Sequence, residues 1–78
     1  MARPLYVIAK EIAGDWNPVH PCAIPYFRAL ESLDSIEDDF LFDSGRSIVI
    51  YFLSNATTWK GDTARRIKKE LNAMLKEC

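Results

Sequence analysis

Apolar side chains recur at helical spacing near the start of the chain. The repeat of three or four residues runs through Leu5, Ile8, Ala9, Ile12 and Trp16. This period is typical of an amphipathic helix. Pro4 suits the first turn, where its missing N–H costs nothing, and Gly14 with the Asn17–Pro18 pair ends the helix. We therefore predict a first helix over residues 4–14.

Prolines separate this helix from a second one. Pro18 and Pro21 hold the residues before them in extended conformations, so the stretch 17–21 is a link. A second helix begins at Pro21 or at Pro25, since either suits an early helical position. Its apolar face consists of Tyr26, Phe27, Leu30 and Leu33.

The next stretch, Asp34 to Asp43, mixes carboxylates with apolar residues. We interpret it as a loop, with or without one helical turn. Its aromatic residues, Phe40 and Phe42, are expected to pack back onto the core. Asp43 or Ser44 then caps a third helix by accepting N–H bonds from its first turn.

The segment Ser47 to Leu53 fits two structures. Its β-branched and aromatic residues favour a buried strand. However, no partner strand is apparent elsewhere, and apolar residues continue at helical spacing from Ile48 through Ala56 to Trp59. We therefore predict a helix that is apolar on all sides, ends at Lys60–Gly61 and lies in the middle of a bundle.

The fourth helix has the clearest pattern. Asp62 or Thr63 caps it, and a heptad-like apolar stripe, with Leu75 beside it, runs through Ala64, Ile67, Leu71, Met74 and Cys78. Four helices with short links predict an all-α fold. We expect a compact four-helix bundle with a central hydrophobic third helix, formed by residues 1–78 as a single helical domain.

Composition and charge limit the classes of partner. With 78 residues, of which 49% are apolar, the chain is one domain with a rich core. A net charge of −1 lacks the basic excess that non-specific binding to DNA or to an anionic membrane needs. The charges are nevertheless segregated: six acids lie in 31–43 and five bases in 60–69. We expect one negative end and one positive end.

The cysteines and the hydropathy pattern indicate a compartment. Cys22 and Cys78 are too few for a secreted disulfide framework and predict free thiols in a reducing cytoplasm. No stretch resembles a signal peptide, and the longest apolar run, Ile48 to Leu53, is too short to cross a bilayer. We therefore expect a cytoplasmic protein.

A catalytic or metal site is hard to build from these residues. His20 is the single histidine, and no second His or Cys pair lies at ligand spacing. The stretch Asp34–Asp39 lacks the glycine that an EF-hand loop has at its sixth position. A Cys22–His20 nucleophile pair is awkward between prolines, and no phosphate-loop motif is present. We expect neither an enzyme nor a metal or cofactor.

One candidate for binding is the start of the fourth helix. Its N–H groups and dipole favour an anion, and nearby bases and a tryptophan would add charge and a stacking face for a nucleotide or other phosphate compound. The candidate ligand-binding residues are Trp59, Lys60, Gly61, Thr63, Arg65 and Arg66. In the alternative interpretation, which the sequence favours, Asp62 caps these N–H groups and repels an anion.

A second candidate is the acidic stretch. Its candidate protein-binding residues are Glu37, Asp38, Asp39, Phe40 and Phe42. Carboxylates with interleaved apolar side chains would dock onto a basic protein surface, such as one that normally holds nucleic acid. The alternative, which the sequence favours, is a solvated loop.

Through Pro4–Ala9, Ile24–Tyr26 and Asp43–Leu71, the chain resembles short accessory proteins of tailed phages and prophages. The resemblance covers most of the chain but brings no assigned activity and no functional residues. It implies a context in which small proteins inhibit host defence or modify host enzymes by stoichiometric binding. We expect a non-enzymatic binding protein that blocks a host protein in the host cytoplasm. The alternatives are a binder that sequesters a nucleotide or phosphate compound at Trp59–Arg66, and a homo-oligomer built on the fourth helix.

Overall fold

A computed structural model describes residues 3–76 of the chain. Within this range 58% of the residues are helical, and the helices in chain order are α1 (Leu5–Asp15), α2 (Ile24–Leu30), α3 (Gly45–Ser54) and α4 (Asp62–Lys76). Between α2 and α3, strand β1 (Asp39–Phe40) pairs antiparallel with strand β2 (Asp43–Ser44). The prediction of a mostly helical protein is confirmed. The all-α class is wrong in one element, because the acidic stretch contains a hairpin rather than only a loop.

The start of α1 is tied to the chain that follows α2. Leu5 N donates to Asp34 O and Tyr6 N donates to Leu33 O, both at 2.9 Å. These bonds satisfy donors that the first turn of a helix leaves unpaired. They also fix the beginning of the acidic stretch beside α1. Pro4 occupies the N-cap, so the helix begins one residue later than predicted.

The second helix begins between its two predicted starts. A turn precedes α2, in which Ala23 N donates to His20 O at 2.8 Å. Pro25 then lies in the first turn of the helix, where it interrupts no helical hydrogen bond. Ala29 and Leu30 are the buried residues of this short element.

The segment Ser47 to Leu53 is helical, as predicted. The helix α3 that contains it is, however, shorter and less enclosed than predicted. It packs against α2 and α4, while Ile50 and Tyr51 each remain 44% exposed. It ends at Ser54, where Asn55 Nδ2 donates to Tyr51 O at 2.9 Å. The expectation of a central helix buried on all sides as far as Trp59 is therefore wrong.

A turn, not a helix, carries Ala56 and Trp59 into the core. Trp59 N donates to Ala56 O at 3.1 Å. The Trp59 ring stacks on Trp16, with centroids 5.5 Å apart and an interplanar angle of 8°, and meets the ring of Phe52 edge-on. Its Nε1 donates to Asp15 Oδ2 at 2.8 Å. This aromatic cluster joins α1, α3 and the turn at one end of the core.

The fourth helix follows its predicted pattern. Gly61 precedes it with a φ of 114°, a conformation that suits glycine. The buried stripe is confirmed for Ala64, Ile67, Leu71 and Met74, whereas Cys78 lies outside the described residues. None of the helices within residues 3–76 is long and apolar enough to cross a membrane.

Candidate functional site

The acidic stretch is held against the start of α3 by its own backbone and by one carboxylate. Asp38 Oδ2 accepts hydrogen bonds from Asp34 N at 3.1 Å and from Ser35 N at 3.2 Å. The carbonyl of Asp38 accepts from Gly45 N at 2.6 Å. The side chain of Ser44 caps α3 by accepting from the backbone N of its third residue. The base of the hairpin is therefore fixed from two sides.

Two apolar side chains lie at the turn of this hairpin. The innermost ladder pair is Phe40 with Asp43, which leaves Leu41 and Phe42 as a two-residue turn. Leu41 is 82% exposed and Phe42 is fully exposed. We call these two residues the hairpin tip. Leu41 was not among the predicted contact residues, and the only sequence signal for it is its place in the middle of an apolar triplet, Phe40 to Phe42, bounded by carboxylates.

Carboxylates flank the hairpin tip. Asp39 and Asp43 lie on the two strands next to the turn, and Glu37 lies just before the first strand. All three are exposed. We call residues 37–44 the acidic hairpin, since it joins an apolar tip to negative charge on both strands.

The predicted protein-binding residues divide into two groups. Glu37, Asp39 and Phe42 are displayed to solvent. Asp38 is also exposed but holds the hairpin in place through its hydrogen bonds, and Phe40 does so by packing half-buried against the core. The expectation that Phe42 packs onto the core is wrong, because the turn carries it beyond the end of the ladder.

The second predicted segment forms an open depression at the start of α4. The depression has a volume of about 290 Å³ and is lined by Trp59, Lys60, Gly61, Ala64, Arg65 and Lys68. We call it the basic depression, because Lys60, Arg65 and Lys68 place three cationic side chains around it. Sequence reasoning missed Lys68, which lies one helical turn beyond Ala64 and therefore shares its face.

Trp59 forms a wall of the basic depression but offers no free stacking face. Its side chain is only 2% exposed and one ring face lies against Trp16. Lys68 Nζ donates to Trp59 O at 2.6 Å and lies 5.9 Å from the ring centroid. Burial, and then repulsion from Lys60, lower the pKa of Lys68. The depression thus concentrates positive charge beside a tightly packed apolar wall.

The remaining residues of the predicted ligand site are directed elsewhere. Arg66 pairs with Glu11 of α1. Thr63 is half-buried and does not line the depression. The Asp62 carboxylate, predicted to cap the helix, accepts a hydrogen bond from Arg65 Nη1 at 3.4 Å, and both side chains are largely exposed. The structure therefore brings four of the six predicted residues together, Trp59, Lys60, Gly61 and Arg65.

His20 and Cys22 lie together on an exposed turn. Cys22 N donates to His20 Nδ1 at 3.1 Å, and the thiol of Cys22 is free. Among residues 3–76 no group of three or more His, Cys, Asp or Glu side chains is arranged to hold a metal ion.

No protein-family model matches the chain, and no curated protein or solved structure matches it. The acidic hairpin and the basic depression are the surfaces that the two predicted binding segments form.

Proposed function

We propose that this protein is a non-enzymatic binding protein that holds a partner protein through its acidic hairpin. The observation that carries the proposal is the exposure of Leu41 and Phe42 on a hairpin whose base is fixed. Burying a Phe or Leu side chain fully stabilises a complex by about 1.5–3 kcal/mol. Apolar anchors that enter a pocket on the partner supply most of the energy of many interfaces.

The backbone of Leu41 supports the same interpretation. Its φ of 57° lies in the left-handed region, where a side chain costs about 1–3 kcal/mol. Two-residue hairpin turns usually have Gly or Asn at such positions, because these residues relieve that cost. Leu41 gives up this stability and places an apolar side chain in solvent instead. Strain of this kind is found at binding sites more often than elsewhere.

The flanking carboxylates indicate the chemistry of the partner. Asp39 and Asp43 would be stabilised by Lys or Arg side chains around an apolar pocket, and their charge would speed the encounter. A protein surface that normally holds nucleic acid has such a basic rim. The resemblance to phage accessory proteins suggests a bacterial host protein, which would be inhibited by stoichiometric occupation of that surface.

Affinity capture from bacterial lysate tests this proposal when three forms of the full chain are compared. The first is the natural sequence, and the second is Leu41→Ser/Phe42→Ser, which removes the apolar tip without touching the base of the hairpin. The third, Ile50→Ser, is a matched control, because Ile50 is also an exposed apolar residue but lies on α3. Each captured protein is quantified by mass spectrometry and titrated with the purified chain.

The proposal predicts a protein that binds the natural chain and the Ile50→Ser variant at a fixed ratio. The same protein should be lost with the Leu41→Ser/Phe42→Ser variant and should bind more weakly as salt rises, because salt screens the carboxylates. A partner that the tip variant retains in full, or the lack of any tip-dependent partner, would contradict the proposal.

The basic depression favours a second candidate function, the sequestration of a nucleotide or other phosphate compound. Lys60, Arg65 and Lys68 provide three cations around one depression. We expect calorimetric titration with ATP and with pyrophosphate to show binding that Lys60→Gln/Arg65→Gln removes. Lys69→Gln is the matched control, because Lys69 is exposed on α4 outside the depression. Equal heats for all three proteins would exclude this candidate.

A further inference from the structure

The acidic hairpin and the basic depression lie at opposite ends of the molecule. The hairpin leads into α3, and the depression follows its other end. Arg46, at the start of α3, donates from Nη1 to Leu75 O, near the end of α4, at 2.9 Å. Helix α4 therefore runs from the depression back to the hairpin end, and a helix of its length spans about 22 Å. The tip of one molecule cannot enter its own depression.

The two surfaces are complementary in shape and polarity. The tip is a small apolar projection, and the depression has a volume of about 290 Å³, with the nearly buried Trp59 and Ala64 at its base. Cavities of about 150 Å³ already accept benzene, so there is room for the ring of Phe42. The stems of Lys60 and Arg65 form the sides while their charged groups stay in water, whereas Lys68 holds its ammonium group on Trp59 O.

The charges of the two surfaces are also complementary. Asp39 and Asp43 flank the tip, and the cationic groups of Lys60, Arg65 and Lys68 surround the depression. A tip that enters the depression would bring opposite charges together around a buried apolar contact, which is the usual arrangement of a specific interface. The basic depression on another copy of this chain therefore provides a basic-rimmed hollow that suits the hairpin.

We infer that the hairpin tip of one molecule docks into the basic depression of a second copy of this chain, so that copies associate head to tail. The inference shares the hairpin tip with the proposed function, and a partner that binds the tip would compete with the second copy for it. A head-to-tail contact leaves one tip and one depression free at the ends of each assembly, so association continues into chains unless a ring closes. The contact is small against the 1,200–2,000 Å² of a stable interface, so it forms and breaks readily.

Sedimentation equilibrium of the full chain tests the association. At millimolar concentration in low salt, the weight-average mass is expected to rise above that of the monomer without a plateau at the dimer. In 1 M salt the mass should return toward the monomer value, because the Debye length falls from about 30 Å at 10 mM to about 3 Å. A monomer mass throughout the low-salt series would overturn the inference.

Two surface variants separate this contact from any other form of association. Leu41→Ser/Phe42→Ser removes the tip and leaves the depression intact. Lys60→Glu/Arg65→Glu reverses the rim of the depression and leaves the tip intact. Both sites are exposed, so each variant is expected to keep its helices, which circular dichroism would check. Each variant alone is expected to remain monomeric.

Mixing the two variants gives the sharpest result. The intact tip of one variant fits the intact depression of the other, and the resulting complex has no free tip or intact depression with which to extend further. We expect an equimolar mixture to form a one-to-one dimer and nothing larger. A symmetric contact, such as one along α4, would give dimers of each variant alone, and that result would overturn the inference, as would a mixture that stays monomeric.

The outcome also distinguishes this inference from the proposed function. If the chain stays monomeric while the natural sequence captures a tip-dependent partner, only the head-to-tail contact is wrong. If the mixed variants form the dimer while no tip-dependent partner is captured, the tip is a self-association element and the proposed function fails.

Discussion

At the residue scale, the absence of a side chain at position 45 decides how closely the acidic stretch approaches α3. A Cβ on Gly45 would lie 2.7 Å from Ser35 O and 3.0 Å from Asp38 O, two backbone atoms that cannot rotate away. We predict that Gly45→Ala lowers the free energy of unfolding by about 1–3 kcal/mol, the usual cost of overpacking. Urea denaturation measures the change.

A second glycine provides the control for this prediction. Gly14 lies within α1, and a Cβ there would have no atom within 4 Å. Gly14→Ala is therefore expected to raise stability by about 0.5–1 kcal/mol, because alanine restricts the unfolded chain and favours the helix. If Gly45→Ala were as stable as the natural chain, the close approach of the acidic stretch would be wrong.

The hairpin tip shows what residue patterns can and cannot predict. The mixture of carboxylates and aromatics makes the stretch a candidate binding surface, with a solvated loop as the alternative. No Asn-Gly or Asp-Gly pair signals a turn at Leu41–Phe42, so the sequence pointed to a loop and not to a hairpin. Leu41 has a positive φ and lies between Asp38 and Gly45, whose backbones are joined by a hydrogen bond across the base of the hairpin, a seven-residue closure that turn propensities do not record.

At the scale of elements, charged side chains join the start of the described chain and α1 to α4. Arg3 donates to Glu70 through Nε at 2.9 Å and Nη2 at 2.7 Å, and its Nη2 lies 3.0 Å from Glu11 Oε1. Glu11 in turn pairs with Arg66. The hydrogen bond from Arg66 lowers the pKa of Glu11, and the hydrogen bonds from Arg3 lower the pKa of Glu70.

These lowered pKa values predict a dependence of stability on pH. In the folded chain the pKa values of both carboxyl groups lie below the ordinary value of 4.5. The ion pairs therefore stabilise the fold fully above that pH. Their contribution is lost as the pH falls through the lowered values. A double-mutant cycle with Arg3→Gln and Glu70→Gln should give a coupling of about 0.5–1 kcal/mol at neutral pH, since the pair is partly exposed and screened. A coupling that stays the same in strong acid would contradict this account.

The end of α3 shows why element boundaries were harder to predict than element types. Apolar spacing correctly indicated that Ala56 and Trp59 are buried, and it correctly chose a helix over a strand. The same spacing wrongly predicted that Ala56 and Trp59 lie on the helix, because a turn returns side chains to the core at a similar interval. Asn55 ends α3 through a side-chain bond to the backbone of Tyr51, and such a bond competes with the next helical turn in a way that hydrophobic periodicity does not record.

At the scale of the whole molecule, the buried apolar residues form one continuous cluster. Residues of all four described helices contribute to it, together with Ala56 and Trp59 from the turn after α3. The segregation of charge, predicted from the sequence, places acids on the hairpin and bases around the depression, on opposite ends of this core. The function of each end depends on the ligand or partner that binds there. Composition alone could not identify that ligand or partner.

A single core predicts a single unfolding transition. Trp16 and Trp59 stack on each other and both lie edge-on to Phe52, so their fluorescence reports on the junction of α1, α3 and the turn, while far-ultraviolet circular dichroism reports on all the helices. The two urea midpoints should therefore coincide. Phe52→Ala should lower the free energy of unfolding by about 3–5 kcal/mol, the cost of removing a buried Phe. Both midpoints should shift together to lower urea concentration.

The Phe42→Ser variant is the matched control for this experiment, because Phe42 is a phenylalanine of the same chain that is fully exposed. Its loss removes no packed contact, so the free energy of unfolding should stay within about 0.5 kcal/mol of that of the natural chain. Both midpoints should therefore stay where they are in the natural chain. A fluorescence transition that precedes the circular dichroism transition would mean that the aromatic junction opens before the helices. In that case the wall of the basic depression would be a separate, less stable unit, and a ligand bound there would stabilise the turn without stabilising the rest of the fold.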